Sequence, residues 1–172
     1  MLVEPYQQKW VDQFAQIHAV LDRAVEDIKH QLEHVGSTAV PGMSAKPIID
    51  IDIVFYQLPD FPLIKQRLEE LGYVHCGDQG IEGREVFKRA PRETAHPVLD
   101  EITHHLYVCS HTNAELHRHL KARDHLRACA AAREEYINLK IEIAKAANQD
   151  RKLYAQLKQE KAKYFFDRIL KT

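Results

Sequence analysis

Two aspartates are separated by one residue in a strongly apolar stretch, IIDIDIVF, at residues 48–55. Because side chains alternate between the two faces of a β-strand, Asp50 and Asp52 would share a face and lie about 7 Å apart. Two carboxylates this close together in apolar surroundings repel each other, and removing them from water is unfavourable. A divalent cation offsets both effects, and Mg²⁺ prefers carboxylate and phosphate oxygens. The pair predicts a Mg²⁺ site, with a polar, solvated strand face as the alternative.

A Gly-Ser turn precedes the acidic pair by a dozen residues. Gly36 and Ser37 follow HQLEHV, residues 30–35, which alternates as a short strand does. Glycine lets backbone N–H groups approach phosphate oxygens closely, and the serine hydroxyl adds a donor. Gly-Ser alone is typical of any turn. The longer pattern is more selective: it consists of an apolar residue, Gly-Ser, twelve further residues and then Asp-apolar-Asp. This pattern predicts a phosphate site beside the carboxylates.

Two cations flank this region of the sequence. Lys46 precedes the acidic strand, and Arg84 follows Gly83 at the start of a later β segment. Either side chain could bind the phosphates of a nucleotide, the arginine in bidentate fashion. The alternative for both is a position on the solvated surface, where most lysines and arginines lie.

His105 is the candidate acid–base group. It lies on a predicted strand at 103–109, and the ordinary pKa of histidine suits a general base or a metal ligand. A histidine on a polar strand face is the equal alternative. Two-metal phosphoryl transfer needs a third carboxylate, and no residue on this strand face is acidic. Glu82 or Asp124 would have to supply that charge from elsewhere.

The elements that position these residues are predicted by periodicity and by turn signals. Apolar residues at three- and four-residue steps indicate a helix over 10–25, and Asp60 is predicted to cap a second helix that stops at Gly72. The spacing of Thr112 and Glu115 is that of a capping box. Strands are predicted at 30–35, 48–55, 73–76, 84–89 and 103–109, with a polar loop between the last two, and helices at 113–128, 131–147 and 150–170.

Strands in the middle of the chain and helices at its ends favour an α+β fold, with a mixed β-sheet flanked by helices. We expect one domain over residues 1–172, made of a mixed α/β core at 1–111 and a helical C-terminal segment at 112–172. Within that segment, Arg123 is predicted to form a buried ion pair that ties its helix to the sheet.

The composition excludes several classes of protein. With 24 Lys and Arg against 25 Asp and Glu, the chain carries no basic surface suited to an extended nucleic acid. No apolar run approaches the length of a membrane span. Three cysteines without a CxxC motif indicate a reducing compartment, so we expect a cytoplasmic protein. There are eleven histidines but no HExxH motif, so no zinc site is expected.

The segment from Glu33 to Asp52, EHVGSTAVPGMSAKPIIDID, resembles the central motif of the GrpB family, and three later segments agree with it in order: GIEGR at 80–84, THHLYV at 103–108 and RDHLR at 123–127. The resemblance implies the core fold of the nucleotidyltransferase superfamily that includes DNA polymerase β. It also implies Mg²⁺ on Asp50 and Asp52, and nucleotide phosphates on Gly36 and Ser37. The expected reaction transfers a nucleotidyl group from a nucleoside triphosphate to a small-molecule or protein acceptor.

Two departures from the family pattern affect the expected chemistry. Glu82 replaces a proline in the glycine loop, and Tyr107 replaces a second histidine on the later strand. One alternative function is a non-catalytic nucleotide-binding or chaperone-like module linked to coenzyme A metabolism, because relatives occur fused to dephospho-CoA kinase. A metal-dependent hydrolase that uses the same acidic pair is the other.

Overall fold

The computed structural model describes residues 2–90, 95–148 and 150–170. Its β-strands are β1 (His30–Val35), β2 (Ile49–Phe55), β3 (Tyr73–His75), β4 (Arg84–Arg89) and β5 (His104–Ser110). Its α-helices are α1 (Lys9–Ala24), α2 (Asp60–Glu70), α3 (Pro97–Glu101), α4 (Ala114–Ala128), α5 (Ala130–Ala146) and α6 (Arg151–Ile169). A short 3₁₀ turn, Ser37–Ala39, follows β1.

The five strands form one mixed sheet in the order β1-β2-β5-β4-β3. The central pair, β2 and β5, is parallel, and the outer pairs are antiparallel. Parallel neighbours need a crossover connection, which the chain between Phe55 and His104 supplies. The predicted α+β fold with a mixed sheet is confirmed.

The two faces of β2 differ as its alternation predicts. Ile49, Ile51 and Ile53 are almost fully buried and belong to the main hydrophobic core, which includes residues of α1 and α2. The opposite face carries Asp50 and Asp52, and there the helices of the C-terminal segment pack on the sheet. We call this second face the acidic face.

The C-terminal helices have their own apolar contacts, so they hold fixed positions over the acidic face. Tyr136 of α5 stacks on Phe165 of α6, with ring centroids 4.9 Å apart. Val40 and Met43, from the β1–β2 connection, are buried in the same cluster. The segment that contains the Gly-Ser turn is therefore packed against α5 and α6.

One helix was not predicted. Pro97–Glu101 forms α3 inside the region expected to be a polar loop, while Pro91 lies outside the described residues. The ring of His96 accepts hydrogen bonds from the backbone N–H groups of Val98 and Leu99, and Pro97 stands at the first helical turn, where its missing N–H is not needed. A histidine cap is an uncommon signal, and the prolines favoured a loop.

Two predicted caps are wrong. The side chain of Asn113, not that of Thr112, accepts hydrogen bonds from the backbone N–H groups of Glu115 and Leu116 at the start of α4. Glu115 is therefore at the second helical position, one short of the position that a capping box requires. At α2, Pro59 is the cap residue and Asp60 is already helical.

None of the helices within the described residues is long and apolar enough to cross a membrane.

Candidate active site

The register of the sheet places Asp50 and Asp52 between the residues expected to assist them. Across the parallel pair, Asp50 lies opposite His105 and Asp52 lies opposite Tyr107. Across the antiparallel pair, Asp50 lies opposite Val35, the last residue of β1. The chain turns immediately afterwards, so the Gly-Ser turn lies beside Asp50.

Gly36 is in direct contact with the first aspartate. Its backbone has φ 73° and ψ −169°, a conformation that is essentially restricted to glycine. A Cβ atom at this position would lie 2.3 Å from Oδ2 of Asp50, well inside van der Waals contact. The turn and the acidic strand approach each other this closely because residue 36 has no side chain.

Asp50 is held from the neighbouring strand. Nδ1 of His105 donates a hydrogen bond of 2.9 Å to Oδ1 of Asp50. The imidazole is about half exposed, so solvent reaches the ring. His105 is therefore beside the acidic pair, as its strand position predicts.

Asp52 is held from α4. It is fully buried, and its Oδ2 accepts a hydrogen bond of 2.9 Å from Nδ1 of His119. The other ring nitrogen of His119 lies 3.4 Å from Oε1 of Glu115, one helical turn earlier. Burial alone would lower the pKa of His119, but the hydrogen bonds to the two carboxylates outweigh it and raise the pKa to about 9. Oδ1 of Asp52 has no hydrogen-bond partner among the described residues.

Sequence reasoning missed His119 and Glu115 because it considered the histidines only for an HExxH motif and assigned Glu115 to a helix cap. The signal that could have found them is their separation of four residues on a helix, which puts a carboxylate and an imidazole on the same face. Nothing in the sequence shows that this face meets β2, since that contact depends on how α4 packs on the sheet.

A buried lysine, also missed, supports the Gly-Ser turn. Lys140 of α5 is 1% exposed, and its Nζ donates a hydrogen bond of 3.1 Å to Oγ of Ser37 and another to the backbone oxygen of Ser44. Burial lowers the pKa of Lys140 to about 6, and the charge of Lys158 acts in the same direction. The sequence signal for this buried lysine is its position four residues after Tyr136, which puts it on an otherwise apolar face of the helix.

Further cations lie toward α6. Nζ of Lys46 lies 4.2 Å from the ring centroid of Tyr154, and burial lowers its pKa, as does the charge of Lys158. The pKa of Lys158 is raised, mainly by Tyr136 and further by Asp50, although burial acts to lower it. The charges of Lys158 and Asp50 therefore act on each other.

Arg84 is on the far side of the carboxylates from the turn. Its guanidinium lies 4.3 Å from the ring centroid of Tyr107. Because β5 separates β4 from β2, the backbone of Arg84 is about 10 Å from that of β2. The structure does not bring Arg84 together with Gly36 and Ser37, so one small phosphate group could not contact both.

Three further ionisable residues do not join the acidic pair. His34 lies on the apolar face, where it stacks on Phe14 at 4.5 Å and hydrogen-bonds to Thr38, and burial lowers its pKa to about 4. Neither suggested source of a third carboxylate reaches the pair, because Glu82 is exposed and Asp124 is an exposed partner of Arg123.

The predicted tie between α4 and the sheet is confirmed. Arg123 donates hydrogen bonds to the carboxylate of Glu33 and to the backbone oxygen of His34, and both side chains of the ion pair are largely buried. Glu33 lies opposite Asp52 on β1, so this ion pair borders the acidic pair directly.

The donor set suits Mg²⁺ shared with a ligand better than a metal site made by protein alone. Across residues 2–90, 95–148 and 150–170, no three His, Cys, Asp or Glu side chains converge to hold a metal ion. Each aspartate has one oxygen engaged by a histidine, and the buried Oδ1 of Asp52 is left without a partner. Mg²⁺ is commonly held by one or two carboxylates plus substrate phosphates, so these residues fit it.

Solved structures of other proteins share the fold of this chain. The crystal structure of the conserved protein GrpB from Enterococcus faecalis has a TM-score of 0.80 and 30% identity, covering 98% of this chain and 97% of that one. Cid1 in complex with the UTP analogue UMPNPP has a TM-score of 0.56 at 13% identity, covering 83% of this chain and 43% of Cid1. The second match shows that the fold is shared with this polymerase, as expected for a nucleotidyltransferase-like core.

Sequence relatives point to one family. Glutamate-rich protein GrpB of Alkalihalophilus pseudofirmus is 30% identical over 173 residues, covering 99% of this chain and 94% of the relative. UPF0157 protein YqkA of Bacillus subtilis is 30% identical over 155 residues, and the match spans 43% of its length. The family profile described as GrpB protein matches residues 1–171. The chain belongs to the GrpB family.

Proposed function

We propose that this chain binds a nucleoside triphosphate together with Mg²⁺ and transfers its nucleotidyl group to an acceptor. The observation that carries this proposal is the contact between Gly36 and Asp50, which joins a glycine turn suited to phosphate to a carboxylate suited to Mg²⁺. The fold shared with Cid1 supports the same class of reaction.

Asp50 and Asp52 would hold the metal. Bound Mg²⁺ would neutralise phosphate charge and orient the reacting phosphate. His105 and His119 each fix one carboxylate oxygen by hydrogen bonding, so the remaining oxygens, Oδ2 of Asp50 and Oδ1 of Asp52, have defined positions. Fixed donors accelerate phosphoryl transfer by positioning and electrostatics.

The Gly-Ser turn would bind the phosphates with help from α5 and α6. Because Lys140 donates to Oγ of Ser37, the hydroxyl proton of Ser37 is directed away from Lys140 and is left to bind a phosphate oxygen. Lys158, whose pKa Asp50 helps to raise, would add positive charge, and the charge of Lys158 acts in turn on Lys46. Negative charge from the nucleotide would favour the protonated form of the buried lysine.

The test is calorimetric titration of nucleoside triphosphates with Mg²⁺ into the full chain and into Asp50→Asn/Asp52→Asn. We expect the wild type to bind and the double variant to lose at least tenfold in affinity, because two charged ligands of the metal are removed. Asp12→Asn, an exposed aspartate on α1, is the control and should bind as the wild type does. Unchanged binding in the double variant would refute the proposal.

One observation favours a second function, a nucleotide-binding module without catalysis. Within the described part of the chain, Glu33 beside Asp52 is engaged by Arg123, and Glu115 reaches the acidic pair only through His119, so no third carboxylate is left free to activate a hydroxyl. The module would bind nucleotide but release no pyrophosphate with any acceptor, whereas the enzyme would release it. A chaperone-like role linked to coenzyme A metabolism stays a prediction.

A further inference from the structure

Arg84 is a charged side chain that forms no ion pair within 4.0 Å of a carboxylate of the described residues. Its charge helps to lower the pKa of Glu115, but its Nε is buried without a hydrogen-bond partner. Arginine stays protonated in proteins, so a guanidinium in this position retains its charge. Its contact with the ring of Tyr107 compensates only part of the desolvation. Such a group is suited to bind an anion that comes from outside the chain.

Arg84 and the Gly-Ser turn lie at opposite corners of the acidic face. Arg84 is opposite Cys109, which is itself opposite Val54, so it lies at the end of β2 that follows Asp52. The turn follows β1 at the other end of β2, beside Asp50, and three strand spacings, about 14 Å, separate β1 from β4. A nucleotide held by its phosphates at the turn would leave the Arg84 corner open to a second substrate.

The start of α4 closes this corner. Nδ2 of Asn113 donates a hydrogen bond of 3.1 Å to the backbone oxygen of Glu82, and a Cβ at Gly83 would lie 3.0 Å from the same nitrogen. The loop before Arg84 is thereby fixed to the N-terminal end of α4, whose helix dipole is positive there. Glu115 in this turn is already engaged by His119.

The side chains at this corner offer no general base. Tyr107 occupies the strand position beside Asp52, and a phenol is not a base at neutral pH. His119 has both ring nitrogens directed at carboxylates, Nδ1 at Asp52 and Nε2 at Glu115. A hydroxyl acceptor would have to lose a proton here, whereas an oxyanion is already deprotonated.

We propose that Arg84 binds the acceptor, and that the acceptor attacks through an oxyanion, either a phosphate monoester or a carboxylate. The proposal rests on the proposed nucleotidyl transfer. An oxygen of the acceptor forms a bond to the α-phosphorus, and the bond from that phosphorus to the bridging oxygen breaks. Pyrophosphate leaves with the electron pair, and no proton is removed from the nucleophile. This chemistry accounts for a site in which the carboxylates near Asp50 and Asp52 are already engaged, Glu33 by Arg123 and Glu115 by His119.

The test separates acceptor binding from nucleotide binding. The full chain with uniform ¹⁵N labelling, first free and then saturated with Mg²⁺ and a non-hydrolysable triphosphate, is titrated with inorganic phosphate, with acetate and with methanol. We expect phosphate or acetate, and not methanol, to shift the Arg84 Nε–H resonance. Whichever anion binds more tightly identifies the phosphate monoester or the carboxylate as the acceptor class.

Arg84→Gln should weaken binding of that anion about tenfold or more, since it removes a charged hydrogen bond, and leave nucleotide affinity within about twofold. Arg84→Lys retains the charge and shows whether any loss reflects misfolding, and Arg67→Gln, an exposed arginine on α2, is the matched control. The proposal is overturned if no anion shifts the resonance, if methanol binds as well, or if Arg84→Gln weakens nucleotide binding as much as Asp50→Asn/Asp52→Asn does. If the chain binds the anion but does not bind the nucleotide, the proposed function is refuted and the role of Arg84 in anion binding is not.

Discussion

At the scale of the residue, Gly36 has the most direct effect on the site. Two separate constraints act on this position, its backbone conformation and the carboxylate of Asp50 next to its Cα. Gly80 shares only the first constraint, because its φ is 86° and an added Cβ would have nothing within 4 Å. The two glycines therefore form a matched pair for mutagenesis.

Gly36→Ala should destabilise the fold by about 1–3 kcal/mol through backbone strain and should displace Asp50 as well. Gly80→Ala should show the strain alone. We expect nucleotide affinity to fall about tenfold in Gly36→Ala and to stay unchanged in Gly80→Ala, with urea unfolding and calorimetry as the measurements. Equal nucleotide affinity in the two variants would show that the contact with Asp50 has no role in binding.

At the scale of the element, α4 contributes more to the site than any other helix. It supplies His119 and Glu115, and Arg123 ties it to the end of β1. Arg127 makes two hydrogen bonds, of 3.0 and 2.8 Å, to the backbone oxygen of Ala39 just after the Gly-Ser turn. The helix therefore fixes both the acidic strand and the segment that leads from the turn.

Arg123→Met should leave the largely buried carboxylate of Glu33 without its cation, and we expect a loss of about 3–5 kcal/mol in the free energy of unfolding. Glu33→Gln/Arg123→Met should recover much of that loss, because no buried charge is left unpaired. Arg118→Gln, on the same helix, breaks an exposed pair with Asp167 and should change stability by about 1 kcal/mol at most. A small effect of Arg123→Met in urea unfolding would mean that water reaches this ion pair.

At the scale of the whole molecule, the sequence predicts those features of the fold that depend on residues close to one another along the chain. The alternation of IIDIDIVF predicts both faces of β2, and the strands at 30–35 and 84–89 have the expected bounds. The residues that it does not predict, His119 and Lys140, reach the site from α4 and α5. Their positions depend on how helices pack on the sheet, which is not a local property. The roles of the predicted site residues, and the division at residue 111, stay predictions.

Burial of Lys140 and His34 contributes a stability that falls as the pH falls, whereas His119, with its pKa raised to about 9, contributes in the opposite direction between pH 9 and 6.5. The pKa of Lys140 is lowered to about 6 and that of His34 to about 4, so the unfolded chain binds protons that the native chain does not. The native state should lose about 1.4 kcal/mol per pH unit for each group, between pH 10.5 and 6 for the lysine and between pH 6.5 and 4 for the histidine.

Urea unfolding measured at intervals from pH 9 to pH 4.5 checks this. Lys140→Met should leave the contribution of His119 unopposed, so stability should rise as the pH falls from 9 to 6.5, and His34→Gln should flatten the lower part of the profile. Substitution of an exposed group, as in Lys152→Met, should leave the slope as it is in the wild type. A Lys140→Met profile with the same slope as the wild type between pH 9 and 7 would contradict the assignment for Lys140.

The hydrogen bonds from His105 and His119 have a consequence for how a cation would arrive. Each aspartate is already stabilised by a partner from within the chain, so the acidic strand folds without waiting for an ion. The proposed Mg²⁺ would use the oxygens that the histidines leave free, and the positive charge of His119 would weaken its affinity for the site. Such a site is suited to an ion delivered and removed with each nucleotide, so the nucleotide, and not the ion supply, would govern when the site is loaded.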